Sequence, residues 1–171
     1  MNPMKRKKSL KSMYAKAHYQ HYEMCLLRRL FSSRYKKKNV LDVGCGNGRN
    51  IPLLQEADCR IIGVDRNEDQ VNSLKERGIC AFLPEKLPPD ETFDVILMSH
   101  VIEHLTPETL RDFMDFYLAR LRPEGKLVIA TPVLGEHFYY DCTHIRPYYP
   151  QSLRMLIGGL DTPSLYRSKF L

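Results

Sequence analysis

The run Val40-Leu41-Asp42-Val43-Gly44-Cys45-Gly46-Asn47-Gly48 constrains this chain more than any other stretch. Two β-formers and an acid lead into three glycines at alternate positions, and an apolar pattern resumes after them. The pattern predicts a buried strand, a tight turn free of large side chains, and the start of a helix. Glycine admits positive φ and lets the backbone approach a ligand closely. The free amides of the following helix then point at that ligand. A turn of this kind cradles a nucleotide-like molecule.

A second element follows at the matching distance. Arg60-Ile61-Ile62-Gly63-Val64 reads as the next buried strand and ends in Asp65, 21 positions beyond Gly44. A carboxylate about 20 residues past a glycine turn is placed to accept hydrogen bonds from both hydroxyls of a ribose. The plainer alternative is that Asp65 only caps the helix starting near Asn67. The dinucleotide pattern G-x-G-x-x-G is not met, because the third glycine falls one position early and Arg49 stands in its place. No P-loop run is present.

VLDVGCGNG, the strand ending GVD, and FDVILMSHVIEHL occur in that order. Together they resemble the class I S-adenosylmethionine-dependent methyltransferases, in particular small-molecule enzymes with an E-H-L run after the fourth strand. The resemblance spans roughly residues 39 to 158 and implies an α/β fold. Its architecture is Rossmann-like: a doubly wound, mostly parallel sheet with helices on both faces. The implied cofactor is S-adenosylmethionine, leaving as S-adenosylhomocysteine, and the implied acceptor is a small polar molecule. The local pattern agrees. Strands are expected at 39–43, 60–64, 79–82, 93–98 and 126–131, and helices at 9–31, 49–56, 67–77, 107–121 and 150–158. Pro107 after Thr106 marks a helix start, and Gly125 a turn between helix and strand. Only Asp161–Leu171 remain beyond these, room for one strand over 165–170, so the usual sheet is expected to be shortened. The domain organisation follows: a basic segment and cap helix over 1–38, then the cofactor-binding domain over 39–171.

The resemblance also assigns residues. Gly44, Cys45 and Gly46 line the methionine and ribose side through their backbone, and Asp42 orders the turn or reaches the cofactor's amino group. Asp65 holds the ribose diol and Arg66 flanks the adenine. Ser99 and His100 end the fourth strand, where the methyl is transferred. Relatives often carry an acid after the third strand for the adenine amino group. Leu83 stands there, and Glu85 is the carboxylate that can substitute. Methyl transfer from a sulfonium is an in-line displacement that needs alignment more than a reactive side chain, and a base only where the acceptor loses a proton. His100 is expected as that base or as a positioning group. His104 is expected to pack or cap locally, and no metal is assigned.

The second source of acceptor contacts is the loop after the fifth strand, residues 132–149. It is aromatic and ionisable, and loops of such length are commonly functional. Its D-x-T-H-x-R-P-Y stretch resembles family members that modify glycans or lipid-linked sugars. His144 and Arg146 either orient a polar acceptor or, with Asp141, latch the loop.

Charge and cysteine usage bound the setting. Through residue 38 there are twelve Lys/Arg and one acid, Glu23; the remainder has fourteen against nineteen. Residues 1–8 read as disordered. The basic segment fits a solvated face, or contact with an anionic surface or lipid. No nucleic-acid module is recognisable. Five scattered cysteines without C-x-x-C argue against a disulfide scaffold or zinc site and fit the cytoplasm. No apolar stretch follows the basic start as in a secretory signal. Oligomeric state is open. Two other readings share the fold: a noncatalytic S-adenosylmethionine-binding partner protein, and a nicotinamide-dependent oxidoreductase.

Overall fold

The computed structural model describes residues 10–157. The basic tail and the strand expected over 165–170 lie outside them. The described elements are α1 (Leu10–Arg34), β1 (Asn39–Val43), α2 (Ile51–Glu56), β2 (Arg60–Val64), α3 (Glu68–Glu76), β3 (Ala81–Phe82), β4 (Phe93–Ser99), α4 (Pro107–Leu118), β5 (Leu121–Ala130), α5 (Glu136–Tyr139) and α6 (Pro150–Ile157). Short 3-10 turns cover Pro84–Lys86 and Ile102–His104.

The five strands form one sheet in the order β3-β2-β1-β4-β5, every pair parallel. A parallel sheet must be covered on both faces, and the alternation along the strands shows how. Leu41, Val43, Ile96 and Met98 point into a cluster with Leu110, Met114 and Tyr117 of α4 and Leu153 of α6. Val40, Val95 and Leu97 point the other way, against Leu53 and Leu54 of α2 and Leu27 and Phe31 of α1. Both clusters depend on the register Val40↔Val95, Leu41↔Ile96. A slip of one residue would turn every side chain to the wrong layer. β2 and β3 lie to one side of β1, and β4 and β5 to the other. The order therefore reverses between β1 and β4, and a crevice opens beyond their carboxyl ends.

Several boundaries differ from expectation: α1 runs on to Arg34, β3 is only Ala81–Phe82, α5 stands inside the expected loop over 132–149, and the junction of α4 and β5 shifts. α4 stops at Leu118, and β5 starts at Leu121, five residues early. Leu121 pairs with Phe93, but the next partners are Val95 and Lys126, so β5 bulges out between them. Pro123 and Glu124 (φ +63°) occupy the bulge, where a missing amide and a left-handed residue are tolerated. Gly125 therefore lies within a strand, not between a helix and a strand. The start of α4 is as expected: Thr106 accepts from the amide of Thr109, the Thr109 hydroxyl returns to the Thr106 amide, and Pro107 follows.

Candidate active site

The glycine turn sits at the carboxyl end of β1. Gly44, Gly46 and Gly48 have φ of +68°, +51° and +84°. A methyl group at Gly44 would strike Val101 at 2.4 Å, whereas one at Gly46 would meet nothing within 4 Å. The first glycine makes room for protein, and the second faces open space. Cys45 turns inward, 3% exposed, into the cluster of Val71, Leu74 and Ala81. Burial pushes its thiol up, with the charges of Asp42 and Asp65 acting in the same direction. A Cβ on Gly63 would lie 2.8 Å from its sulfur, so β2 carries a glycine at that register position to admit it.

Asp65 does more than the sequence suggests. Its Oδ2 accepts from the amide of Gly46 at 2.8 Å, and its Oδ1 from the amide of Asn67 at 2.9 Å. Asn67, not Asp65, caps α3 through the amides of Asp69 and Gln70. Asp65 thus ties the turn to β2 while each oxygen keeps an acceptor lone pair for a ribose hydroxyl. Arg66 and Glu85 are both exposed on this side, and Leu83 packs at the edge of the Cys45 cluster. Leu83 thus offers an apolar surface beside the turn. Asp42 is fully buried beneath the turn. Asn50 Nδ2 donates to its Oδ1 at 3.1 Å, and its Oδ2 has no hydrogen-bond partner among the described residues. Burial, opposed by the Asn50 bond and reinforced by the charge of Asp65, raises its carboxyl to about 7. The one hydrogen bond of its side chain among the described residues ties β1 to Asn50 at the start of α2. An open glycine cradle, a two-oxygen acceptor and an apolar wall together fit an adenosyl group.

At the carboxyl end of β4 the chain takes a left-handed conformation at His100 (φ +58°), which carries strain in a residue with a side chain. The ring is thereby set between two acids. Nε2 lies 2.8 Å from Glu23 Oε2 and Nδ1 lies 3.2 Å from Glu103 Oε1. Burial disfavours the imidazolium, but hydrogen bonding and charge from Glu103 and Glu23 outweigh it and raise His100 to about 9. Both ring nitrogens of His100, expected as a base or a positioning group, lie against carboxylates, an arrangement that favours the positioning role. Glu23 comes from α1. It also accepts from the Ser99 hydroxyl and from Arg49, both at 2.8 Å. Burial opposes its ionisation, yet His100, Arg49 and Ser99 hold the carboxyl down at about 2.

Glu103 is the second hub and is fully buried. Thr131 donates to its Oε2 at 3.0 Å, and the amides of Ile145 and Arg146 donate to its carbonyl. The loop from β5 is thus pinned beside β4. His144 comes to 3.9 Å from Glu103 Oε1 through Nε2, while its Nδ1 donates to the Phe138 carbonyl at 2.7 Å. His104 packs edge-on against His144, with ring centroids 4.9 Å apart, and meets Thr143 through Nδ1. Glu103, His104 and His144 each offer a ligand atom within 4.8 Å of the others. No metal is assigned from the sequence, where a ligand set is not evident. The sequence does not show that a residue about 40 positions later closes the set. The latch among Asp141, His144 and Arg146 takes another form: Asp141 holds Thr143, and Arg146 turns away. Arg146 lines a separate cleft of about 140 Å³ with Pro107, Tyr148, Ser152 and Leu156, so it does not join His144.

A glycine turn with an acceptor carboxylate on one side of a topological switch point, and an ionisable cluster on the other, is the arrangement of a nucleoside-binding α/β fold. The comparisons with known proteins make the class specific. Residues 16–157 match the family model described as a methyltransferase domain, and the chain belongs to that family. The chain is 30% identical over 100 residues to a ubiquinone biosynthesis O-methyltransferase of Rhodopseudomonas palustris, covering 54% of this chain and 39% of that protein. It is 30% identical over 121 residues to a small RNA 2'-O-methyltransferase of Mus musculus, covering 58% of this chain and 30% of that one. A crystallised SAM-dependent methyltransferase from Archaeoglobus fulgidus superposes with a TM-score of 0.67 at 29% identity, over 80% of this chain and 66% of that chain. The chain spans less than two fifths of the length of these curated relatives. Among the described residues, no helix is long and apolar enough to cross a membrane.

Proposed function

We propose that this chain binds S-adenosylmethionine across the 44–48 turn and Asp65, and transfers its methyl group to a hydroxyl oxygen of a small polar acceptor such as a sugar. The observation that carries the reading is the convergence of Glu103 and His144 beside the carboxyl end of β4. With Nδ1 committed to the Phe138 carbonyl, a neutral His144 presents a bare Nε2. That nitrogen takes the proton a hydroxyl must lose as its oxygen attacks the sulfonium methyl. Glu103 faces the resulting imidazolium at 3.9 Å and stabilises it. His100, held between Glu23 and Glu103, fixes the floor of the site. The names of the two curated relatives, both O-methyltransferases, favour oxygen as the acceptor atom.

The compactness of the Glu103, His104 and His144 set favours a second use of the same residues. Its two imidazoles and one carboxylate suit a divalent cation of the zinc or manganese type. Such an ion, when bound, lowers the pKa of a coordinated hydroxyl. His144 Nε2 is then a ligand, held in orientation by Phe138.

The test is formation of S-adenosylhomocysteine against a panel of sugars, phenols, amines and a ribose-terminated oligonucleotide, with wild type and His144→Ala. The proposal expects turnover with a hydroxyl acceptor, lost in His144→Ala while S-adenosylhomocysteine affinity is kept. Turnover confined to amines would overturn the oxygen assignment. Cofactor binding without turnover on any acceptor would favour the noncatalytic partner protein.

A further inference from the structure

Of the seven large apolar side chains exposed among the described residues, five fall within the short stretch from Leu134 to Met155. A sixth, Phe116, is covered on one face by the Arg120 guanidinium, 4.0 Å from its ring. The seventh, Leu26, is 48% exposed on α1, within one turn of Glu23. Scattered apolar groups at a surface need no explanation, but a concentration of them does. The loop after β5 is built inside out. Its polar groups are satisfied within the protein: Asp141 on Thr143, His144 on the Phe138 carbonyl, and the amides of Ile145 and Arg146 on the Glu103 carbonyl. Its apolar tips point outward, with Leu134, Tyr139 and Ile145 at 54%, 71% and 55% exposure. The internal bonds hold the loop against the collapse that would bury those tips.

The same edge of the protein is basic. α1 reaches the carboxyl end of β4 through Glu23, beside Ser99 and His100, and the loop reaches it through Glu103. α1 contains five Lys/Arg and a single acid, Glu23. Glu23 is buried, so no acid of α1 is left on its surface. Arg28 is answered by Glu56 and Lys36 by Asp58. Arg29, Arg34, Lys37 and Lys38 are exposed as well, and four more cations precede the helix in sequence at positions 5–8.

Cations and apolar tips on one edge match a surface that is anionic outside and hydrocarbon beneath. We propose that this edge docks on an anionic phospholipid bilayer, with Leu26, Leu134, Tyr139 and Ile145 entering the headgroup layer and Arg29 and Arg34 pairing with phosphates. Tyrosine suits that depth, because its ring is apolar and its hydroxyl stays wet. Each cation gains from the negative potential of such a surface, and the gain falls away with salt. A nucleic acid would meet the cations but leave the leucine and isoleucine tips in water. Docked this way, the carboxyl end of β4 opens at the headgroups. A hydroxyl carried on a lipid headgroup then reaches Glu103 and His144 without leaving the membrane surface. That consequence rests on the methyl-transfer reading; the docking does not.

The test is flotation of the full chain with vesicles of phosphatidylglycerol and phosphatidylcholine in equal parts, and with phosphatidylcholine alone, at low and at high salt. Wild type is expected to favour the anionic vesicles by at least about tenfold and to leave them at high salt. Tyr139→Ser with Ile145→Ser lowers anionic binding by at least about fivefold, through lost apolar insertion. Arg29→Glu with Arg34→Glu lowers it by at least about tenfold. A thermal melt of each sample shows that it is folded; where a double variant melts early, its single substitutions are read instead. S-adenosylhomocysteine is titrated into the same samples, so failure of the cofactor reading and failure of the docking are seen separately. Absence of anionic binding, equal binding to both vesicles, or anionic binding unaltered by the serine substitutions overturns the proposal. Binding to a single-stranded oligonucleotide without vesicle binding overturns it in favour of a nucleic acid. A dimer that the serine substitutions break, without vesicle binding, overturns it in favour of a second copy of the chain.

Discussion

Replacing Asp65 with alanine has a magnitude that can be worked from the geometry. The carboxylate accepts from the amides of Gly46 and Asn67 at 2.8 and 2.9 Å. Both amides are near solvent, so water takes over part of each bond. The net loss is ~1 kcal/mol apiece. For a domain of this size that lowers the melting temperature by roughly 4–8 °C. The ligand loses more. Two hydroxyl-to-carboxylate bonds at ~1.5 kcal/mol each amount to ~3 kcal/mol, or about a hundredfold in affinity. Calorimetric titration of S-adenosylhomocysteine and a thermal melt of the same sample read both numbers. Asp65→Asn separates the roles further, because it keeps one acceptor oxygen and loses the charge. It should lose affinity by an intermediate factor with a smaller drop in melting temperature. A variant that melts earlier yet binds within about threefold of wild type would refute the reasoning. Asp65 would then serve the turn and not the ribose.

Further predictions concern charge and the metal set. His100 is raised from 6.5 to about 9, so its stabilisation is complete below 6.5 and is lost as pH rises through 9. Glu23 is lowered from 4.5 to about 2, so its share is complete above 4.5 and is lost as pH falls through 2. The contribution of this pair to melting temperature should therefore be level between pH 4.5 and 6.5 and fall on both sides, so the difference between wild type and Glu23→Gln should trace both limbs; a difference independent of pH would remove the ion pair from the account. Asp42 has the opposite sense for an acid: raised from 3.8 to about 7, it costs the fold stability once pH rises through that range. Asp42→Asn should raise the melting temperature at pH 8 and leave it unchanged near pH 3, and equal effects at both would contradict the burial argument. Dialysis against a chelator distinguishes the two uses of His144. Turnover that survives marks it as a base; turnover that falls and returns with Mn2+ marks it as a ligand.

What the chain reveals before folding is set by the range of each interaction. The glycine turn, Asp65 and the Thr106-Pro107 start are local patterns, and their geometry follows from φ preferences and capping within a few residues. The alternation of Val40, Leu41 and Val43 likewise shows a strand buried on both faces. Glu23 is different in kind. It is bonded to Ser99, 76 positions away, and its one sequence signal is to be the single acid among twelve basic residues, in step with Leu27 and Phe31. The metal-type set escaped for the same reason, because His144 reaches Glu103 only once the loop after β5 folds back. The start of β5 was hidden by Pro123-Glu124-Gly125, which reads as a turn but is absorbed as a bulge against Phe93. Arg146 sits two residues from His144 and yet faces another cleft. The amides of Ile145 and Arg146 are tied to the Glu103 carbonyl between the two side chains, and spacing alone does not show that.

The account depends most on which nucleoside the 44–48 turn accepts. Titrating the wild-type chain separately with S-adenosylhomocysteine and with NADH asks this directly. The account predicts one saturable site per chain for the first ligand and no binding of the second. Saturable binding of NADH, or no heat with S-adenosylhomocysteine on folded protein, would contradict it.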